Sequence, residues 1–231
     1  MKARVVSIYN DIVRPRLSTT ADTKTVEGIE VVSRRYRRHR LDTIVPVPTP
    51  YELYLKERNI ELIREAVNVT DVGISIGGGY GVTAIALSER VDTLHIFEGS
   101  TDLIGEIEKN LTANNVDAQL HETIVGEAIS IDGRTTTSMI SPSDLPDAGV
   151  IEMDCEGAEI SILDGITKPP DQFVIETHPT LGAPTEEVVN RLHDLGHTVT
   201  AQAEDPVDGD ILVSIQQRFQ DEHSETSSYN I

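Results

Sequence analysis

The chain is 231 residues long, enough for one substantial core with a small appendage. It carries 19 Lys plus Arg against 39 Asp plus Glu, a net charge of −20, and a field of that sign repels nucleic acid as a partner. A lone Cys155 excludes an internal disulfide and a cysteine metal cage, and no apolar run has membrane-spanning or signal-peptide form, so the expectation is a cytoplasmic protein with no membrane partner.

Residues 1–48 have weak periodicity. Val5–Ile8 and Gly28–Val32 read as short strands, and Arg34–Arg40 is a basic run around one tyrosine. That run suits a phosphate or RNA contact, which would make the chain an RNA-directed enzyme, or a solvated edge strand or counter-charge to the acidic body. Thr49-Pro50-Tyr51-Glu52 opens a helix, with Thr49 as cap, Pro50 at the first helical position and Glu52 closing a capping box. This helix is expected to run to about Ala66. An alternation of strands and helices then begins. Val72–Ile76 is a strand and Val82–Arg90 a helix; Thr93–Phe97 is a strand and Thr101–Asn114 a helix. Gln119–Val125 contains the third strand of the series. The Thr/Ser-rich stretch Ile129–Ile140 reads as a hairpin excursion. Val150–Asp154 is a strand, followed by a helix over 158–163 that Gly165 closes. Phe173–Glu176 is a strand, Thr185–Leu195 a helix ended by Gly196, and His197–Ala201 with Ile211–Ile215 forms a last hairpin. Such alternation specifies an α/β, Rossmann-like protein with a parallel-dominated sheet. The expected division is an N-terminal extension over 1–66, the α/β domain over 67–218 and a disordered polar tail over 219–231.

The charge is unevenly placed. Residues 1–70 hold 13 basic and 9 acidic residues, whereas 71–231 hold 6 and 30. The acid is dispersed, lysine is scarce and aromatics are few. This composition fits adaptation to strong salt, where charges screen within about 3 Å at 1 M; an ordinary acidic cytosolic enzyme is the alternative.

Two segments carry the chemistry. Ile74-Ser75-Ile76-Gly77-Gly78-Gly79-Tyr80-Gly81 is a strand running into a glycine-rich turn. Gly77, Gly79 and Gly81 permit a tight turn and close approach of backbone N–H groups to a ligand. Glu98 ends the next strand, seventeen residues past Gly81, where an acid accepts hydrogen bonds from ribose hydroxyls. The second segment, Val150 to Glu159, is an apolar strand that runs into Asp154, Glu156 and Glu159. Carboxylates gathered at a strand end are costly unless they bind something. Asp154 is read as facing ligand, Glu156 as a cofactor contact, and Glu159 as a charge favouring a helix N-terminus. Glu176 and His178 close the following strand and form, with Asp154, the candidate base and orienter. No metal is assigned, although the three together also have the composition of a metal donor set. Glu127, in Val125-Gly126-Glu127, reads by itself as a solvated loop acid.

The block Asp154-Cys155-Glu156-Gly157-Ala158-Glu159 with Ile162-Leu163-Asp164-Gly165 resembles the FkbM-type methyltransferases, as do Val174-Ile175-Glu176-Thr177-His178 and Asp144-Leu145-Pro146. The resemblance covers about residues 70–180. It implies the class I methyltransferase fold, with seven strands, an antiparallel end and flanking helices. It assigns the glycine turn to the methionine part of S-adenosyl-L-methionine and places Glu127 near the adenine amino group. One position departs from the pattern: Ser75 stands where the family carries an acid, two residues before the first glycine.

The expected function is S-adenosylmethionine-dependent methyl transfer to a hydroxyl oxygen of a small-molecule or glycan acceptor. An NAD(P)-dependent oxidoreductase is the alternative enzyme, since Gly79-x-Gly81-x-x-Ala84 satisfies a relaxed dinucleotide fingerprint. A non-catalytic cofactor-binding protein of the same fold is the third reading. No oligomeric state is assigned.

Overall fold

The computed structural model describes residues 13, 24–32, 56–126, 138–205 and 208–217. The predicted strand at 5–8, the basic run 34–40, the capping box at 49–52, Glu127, residues 129–137 and the tail 219–231 lie outside them.

Two short strands, β1 (Lys24–Val26) and β2 (Ile29–Val31), form a hairpin, and α1 (Glu57–Ala66) follows. The alternating series is β3 (Thr70–Ile76), α2 (Val82–Ser88), β4 (Val91–Glu98), α3 (Thr101–Ala113) and β5 (Gln119–Glu122). A minor pair, β6 (Ile124–Val125) and β7 (Met139–Ile140), precedes β8 (Val150–Met153), α4 (Glu159–Gly165), β9 (Gln172–Glu176) and α5 (Thr185–Asp194). The series ends with β10 (His197–Glu204) and β11 (Asp210–Gln216).

Seven strands form one sheet in the order β5-β4-β3-β8-β9-β11-β10. The five strands from β5 to β9 are parallel, and β11 runs antiparallel to both β9 and β10. The chain winds outward from β3 in both directions, so β3, β4 and β8 surround the topological switch point. In open α/β sheets a ligand binds at the carboxyl edge at such a point.

The central strands are apolar on both faces, as parallel strands covered by helices must be. Alternate residues feed two cores. Val150, Val174, Ile211 and Val213 pack with Ile60 and Ile63 of α1, with α2, and with Ile107 of α3. Ile151, Met153, Phe173, Ile175 and Leu212 pack with Ile162 and Leu163 of α4 and Val188 and Leu192 of α5. The β1–β2 hairpin joins the first core through Val26, Ile29 and Val31. It is held by side chains at the end of α3: the N–H of Glu30 donates to Asn114, just past the helix, and that of Val32 to Asn110, each at 2.8 Å. No helix among the described residues is long and apolar enough to cross a membrane.

Two expectations about elements are corrected, the start of α1 and the place of Gly165. Within the stretch expected as a helix over 50–66, α1 starts at Glu57, directly after Lys56, whose backbone is left-handed (φ 49°). Met139 and Ile140 pair in parallel with Ile124 and Val125, and the rest of the stretch expected to form a hairpin, 129–137, lies outside the described residues. Gly165 lies in the last turn of α4 and does not close it from outside. The final hairpin forms as expected, and Gly196 after α5 adopts the left-handed conformation (φ 79°) of a helix-ending glycine.

Candidate active site

The glycine turn and the acidic block meet at the carboxyl edge. The N–H of Gly77 donates to the carbonyl of Phe97 at 2.9 Å, and the N–H of Asp154 to that of Ile76 at 3.0 Å. Gly77 adopts φ 81°, and a Cβ there would overlap the backbone oxygen of Asp154. Glycine at 77 is thus what lets the turn after β3 lie directly on the end of β8. Gly79 (φ 53°) meets nothing closer than 3.8 Å at its Cβ position, so its surface is open. Gly81, also left-handed, starts α2.

Glu98, the last residue of β4, is buried beneath this turn. Its carboxylate accepts the N–H of Gly79 at 3.0 Å and that of Ser100 at 2.7 Å. Burial raises its pKa, and the backbone donors offset only part of that rise.

The acidic block forms a denser network. Asp154, Glu176 and His178 each present an atom within 4.8 Å of the others. Two residues that the sequence reading did not single out join them. The ammonium of Lys56 lies 2.6 Å and 2.7 Å from the two oxygens of Glu176, and 2.9 Å from Asp154 Oδ2. The amide of Asn59, buried in the first turn of α1, donates to Glu176 Oε2 at 2.9 Å. Glu159 is fully buried and does more than favour a helix terminus: its Oε1 accepts the N–H of Cys155 at 2.9 Å and bonds His178 Nδ1 at 2.8 Å. His178 Nε2 is thereby turned toward Asp154 Oδ1, 3.4 Å away. Glu156 is exposed, in a left-handed turn (φ 52°) with Gly157. A Cβ at Gly157 would lie 2.5 Å from the carbonyl oxygen of Leu181, which makes glycine necessary where that loop crosses.

Electrostatics follow from burial and pairing. Burial pulls the His178 pKa down, but the bond to Glu159 and the charges of Asp154 and Glu159 outweigh it and hold the ring at about 9, protonated at neutral pH. Burial and neighbouring Asp154 push Glu176 up to about 7, against the opposing pull of Lys56. Burial opposes the charge on Lys56, yet Asp154 and Glu176 together raise its pKa above the ordinary lysine value. The departure at Ser75 also finds a partner. Its hydroxyl donates to Glu152 Oε2 at 2.6 Å, and the two are register neighbours across β3 and β8. Burial pushes Glu152 up to about 8, so an acid missing from β3 is present as a largely protonated carboxyl one strand away.

No spacing pattern pointed to Lys56 or Asn59, because 120 residues separate Lys56 from Glu176. Ser75 and Glu152 were findable only by setting β3 against β8 in register.

No protein-family model matches the chain, and no curated protein matches its sequence. Solved structures do share its fold. The ribosomal protein L11 methylase from Lactobacillus delbrueckii subsp. bulgaricus is 12% identical over 71% of this chain and 78% of that chain, with a TM-score of 0.51. M. capricolum TrmK, in complex with its cofactor product S-adenosyl-homocysteine, is 9% identical over 72% of this chain and 71% of that chain, also with a TM-score of 0.51. Precorrin-6y C5,15-methyltransferase from Geobacter metallireducens GS-15 is 18% identical over 72% and 88% of the two chains, with a TM-score of 0.48. At these identities the likeness establishes the fold, a Rossmann-like class I methyltransferase sheet.

Proposed function

We propose that this chain is an S-adenosylmethionine-dependent methyltransferase acting on a hydroxyl oxygen of a small molecule or glycan. The observation that carries the reading is the single carboxyl edge at which Glu98, under the open Gly79 turn, stands beside the Asp154–Glu176–His178 cluster. Two neighbours of the same fold support it: a ribosomal protein methylase and a protein bound to S-adenosyl-homocysteine.

The residues fit the cofactor. The turn leaves open space over Gly79, whose own N–H is held by Glu98; Glu98 keeps further acceptor lone pairs for ribose hydroxyls, and the acidic edge suits a cation. S-adenosylmethionine, when bound, supplies a methyl group activated by its sulfonium. The chain then has to hold the acceptor in line and exclude water. Asp154 is the group we assign to the acceptor, because its side chain is 16% exposed while those of Glu176 and His178 are each 6%. A carboxylate oxygen of Asp154 takes the hydroxyl proton. Glu176, through Lys56, and His178, through Glu159, keep that carboxylate oriented. Exposed Glu156, and Glu127 on the resemblance alone, are assigned to the cofactor side. Division of the chain at 66 and 218, FkbM-type membership, a cytoplasmic setting and adaptation to strong salt belong to the same reading.

The dinucleotide alternative rests on Gly79-x-Gly81-x-x-Ala84. Calorimetric titration of the full chain with S-adenosyl-homocysteine and with NAD, at low and at molar salt, separates the two. Binding of the first alone is expected, with higher melting temperature in molar salt. Binding of NAD alone would overturn the assignment, and a melting temperature that falls with salt would remove the halophilic reading.

A further inference from the structure

We infer that Lys56 is the resident cation of the carboxylate cluster, standing where a divalent metal ion would otherwise bind, so that removing this one side chain opens a metal site. Asp154, Glu176 and His178 present two carboxylate oxygens and one imidazole nitrogen within 4.8 Å of one another. Ligand atoms about 2.0–2.6 Å from one ion lie no more than about 4–5 Å apart, so the three can share a single ion. His178 is already oriented as metal-ligating histidines are: Nδ1 is bonded to the carboxylate of Glu159, and Nε2 faces the cluster. The centre is taken by the Lys56 ammonium, in contact with both Glu176 oxygens and with Asp154 at 2.6–2.9 Å.

Two further observations mark this as a cation site and not only an acidic surface. Asn59 Oδ1 and Glu159 Oε2, both on buried side chains bonded to the cluster, have no hydrogen-bond partner among the described residues. Each is an acceptor, and buried acceptors left over around a cluster call for donors or positive charge. The second is the backbone of Lys56. It is held left-handed at φ 49°, an uncommon conformation for lysine, immediately before α1. That conformation begins the helix at Glu57 while the Lys56 side chain reaches the ends of β8 and β9.

The test is metal binding, which is read without any acceptor and stands apart from the methyl-transfer assignment. The full chain is titrated with Mn2+ alone and followed by electron paramagnetic resonance. The unmodified chain should bind no stoichiometric Mn2+ in the millimolar range. Lys56→Ala should bind one ion per chain at least ten-fold more tightly, and adding Asp154→Asn to it should abolish that site. Lys56→Gln, which keeps a polar side chain but shortens it and removes the charge, serves the same purpose if the alanine variant folds poorly by circular dichroism. The inference is overturned if neither Lys56 variant binds Mn2+ more tightly than the unmodified chain. It is equally overturned if the unmodified chain binds one ion that Asp154→Asn removes, because a metal would then be the natural occupant.

Discussion

On either side of β3, at the same edge of the sheet, the chain builds two sites from different materials. On the β4 side backbone groups do the work: the N–H of Gly79 and that of Ser100 converge on one carboxylate, Glu98, only 19 residues from Gly79. On the β8 side the partners are side chains from four segments, with Lys56 and Asn59 reaching Glu176 across 120 and 117 residues. A backbone-built site is specified by local turn chemistry and tolerates changes in distant side chains. A side-chain-built site balances charges that burial makes costly, so it responds to pH and to the loss of any one partner.

The largest effect should come from the residue that joins the two sides. Gly77→Ala forces a Cβ onto the Asp154 carbonyl at a left-handed position. We expect a loss of more than about 3 kcal/mol, a fall in melting temperature on the order of 10 °C, and loss of S-adenosyl-homocysteine binding. An unchanged melting temperature would mean that the turn and the end of β8 are not in contact.

The next tests separate the sides. Asp154→Asn should lower turnover by roughly 10²-fold, while affinity for S-adenosyl-homocysteine changes little. If binding is lost instead, Asp154 belongs to the cofactor side. Glu98→Gln should do the opposite, weakening S-adenosyl-homocysteine about ten-fold through loss of charge-assisted bonds, with turnover at saturating cofactor nearly kept. Unchanged affinity would take Glu98 out of the site.

The smallest effect concerns pH. Burial raises Glu152 to about 8, and the Glu159 bond with nearby acids overcomes burial to hold His178 at about 9. Both values exceed those of the unfolded chain, so the folded chain binds more protons across this window. Stability should therefore fall as pH rises from about 5 to about 9. The His178 contribution is complete below its unfolded value of about 6.5 and is lost through 9. A decline of several degrees is expected by calorimetry, and Glu152→Gln should flatten the part below pH 8. A melting temperature that rises over this range would contradict the burial of Glu152.

The strand–helix alternation from residue 70, the glycine turn at 77–81, the acidic block and the final hairpin were legible in the sequence because each depends on neighbours within a few residues. Apolar strand runs, left-handed glycines and helix starts are local statements. The sequence also placed Asp154, Glu176 and His178 at strand ends, and a parallel sheet brings strand ends to one edge. What it left open, the tertiary structure decided. Lys56 enters the cluster because α1 packs on α2 over the face that carries Asp154 and Glu176, a placement no local pattern encodes. Ser75 finds Glu152 through strand register, and Glu159 meets His178 only because the loop after β9 is folded back onto the start of α4. Turns are set by short-range sterics, whereas a buried charge can be stable only once the residues that neutralise it have been brought together by the whole fold.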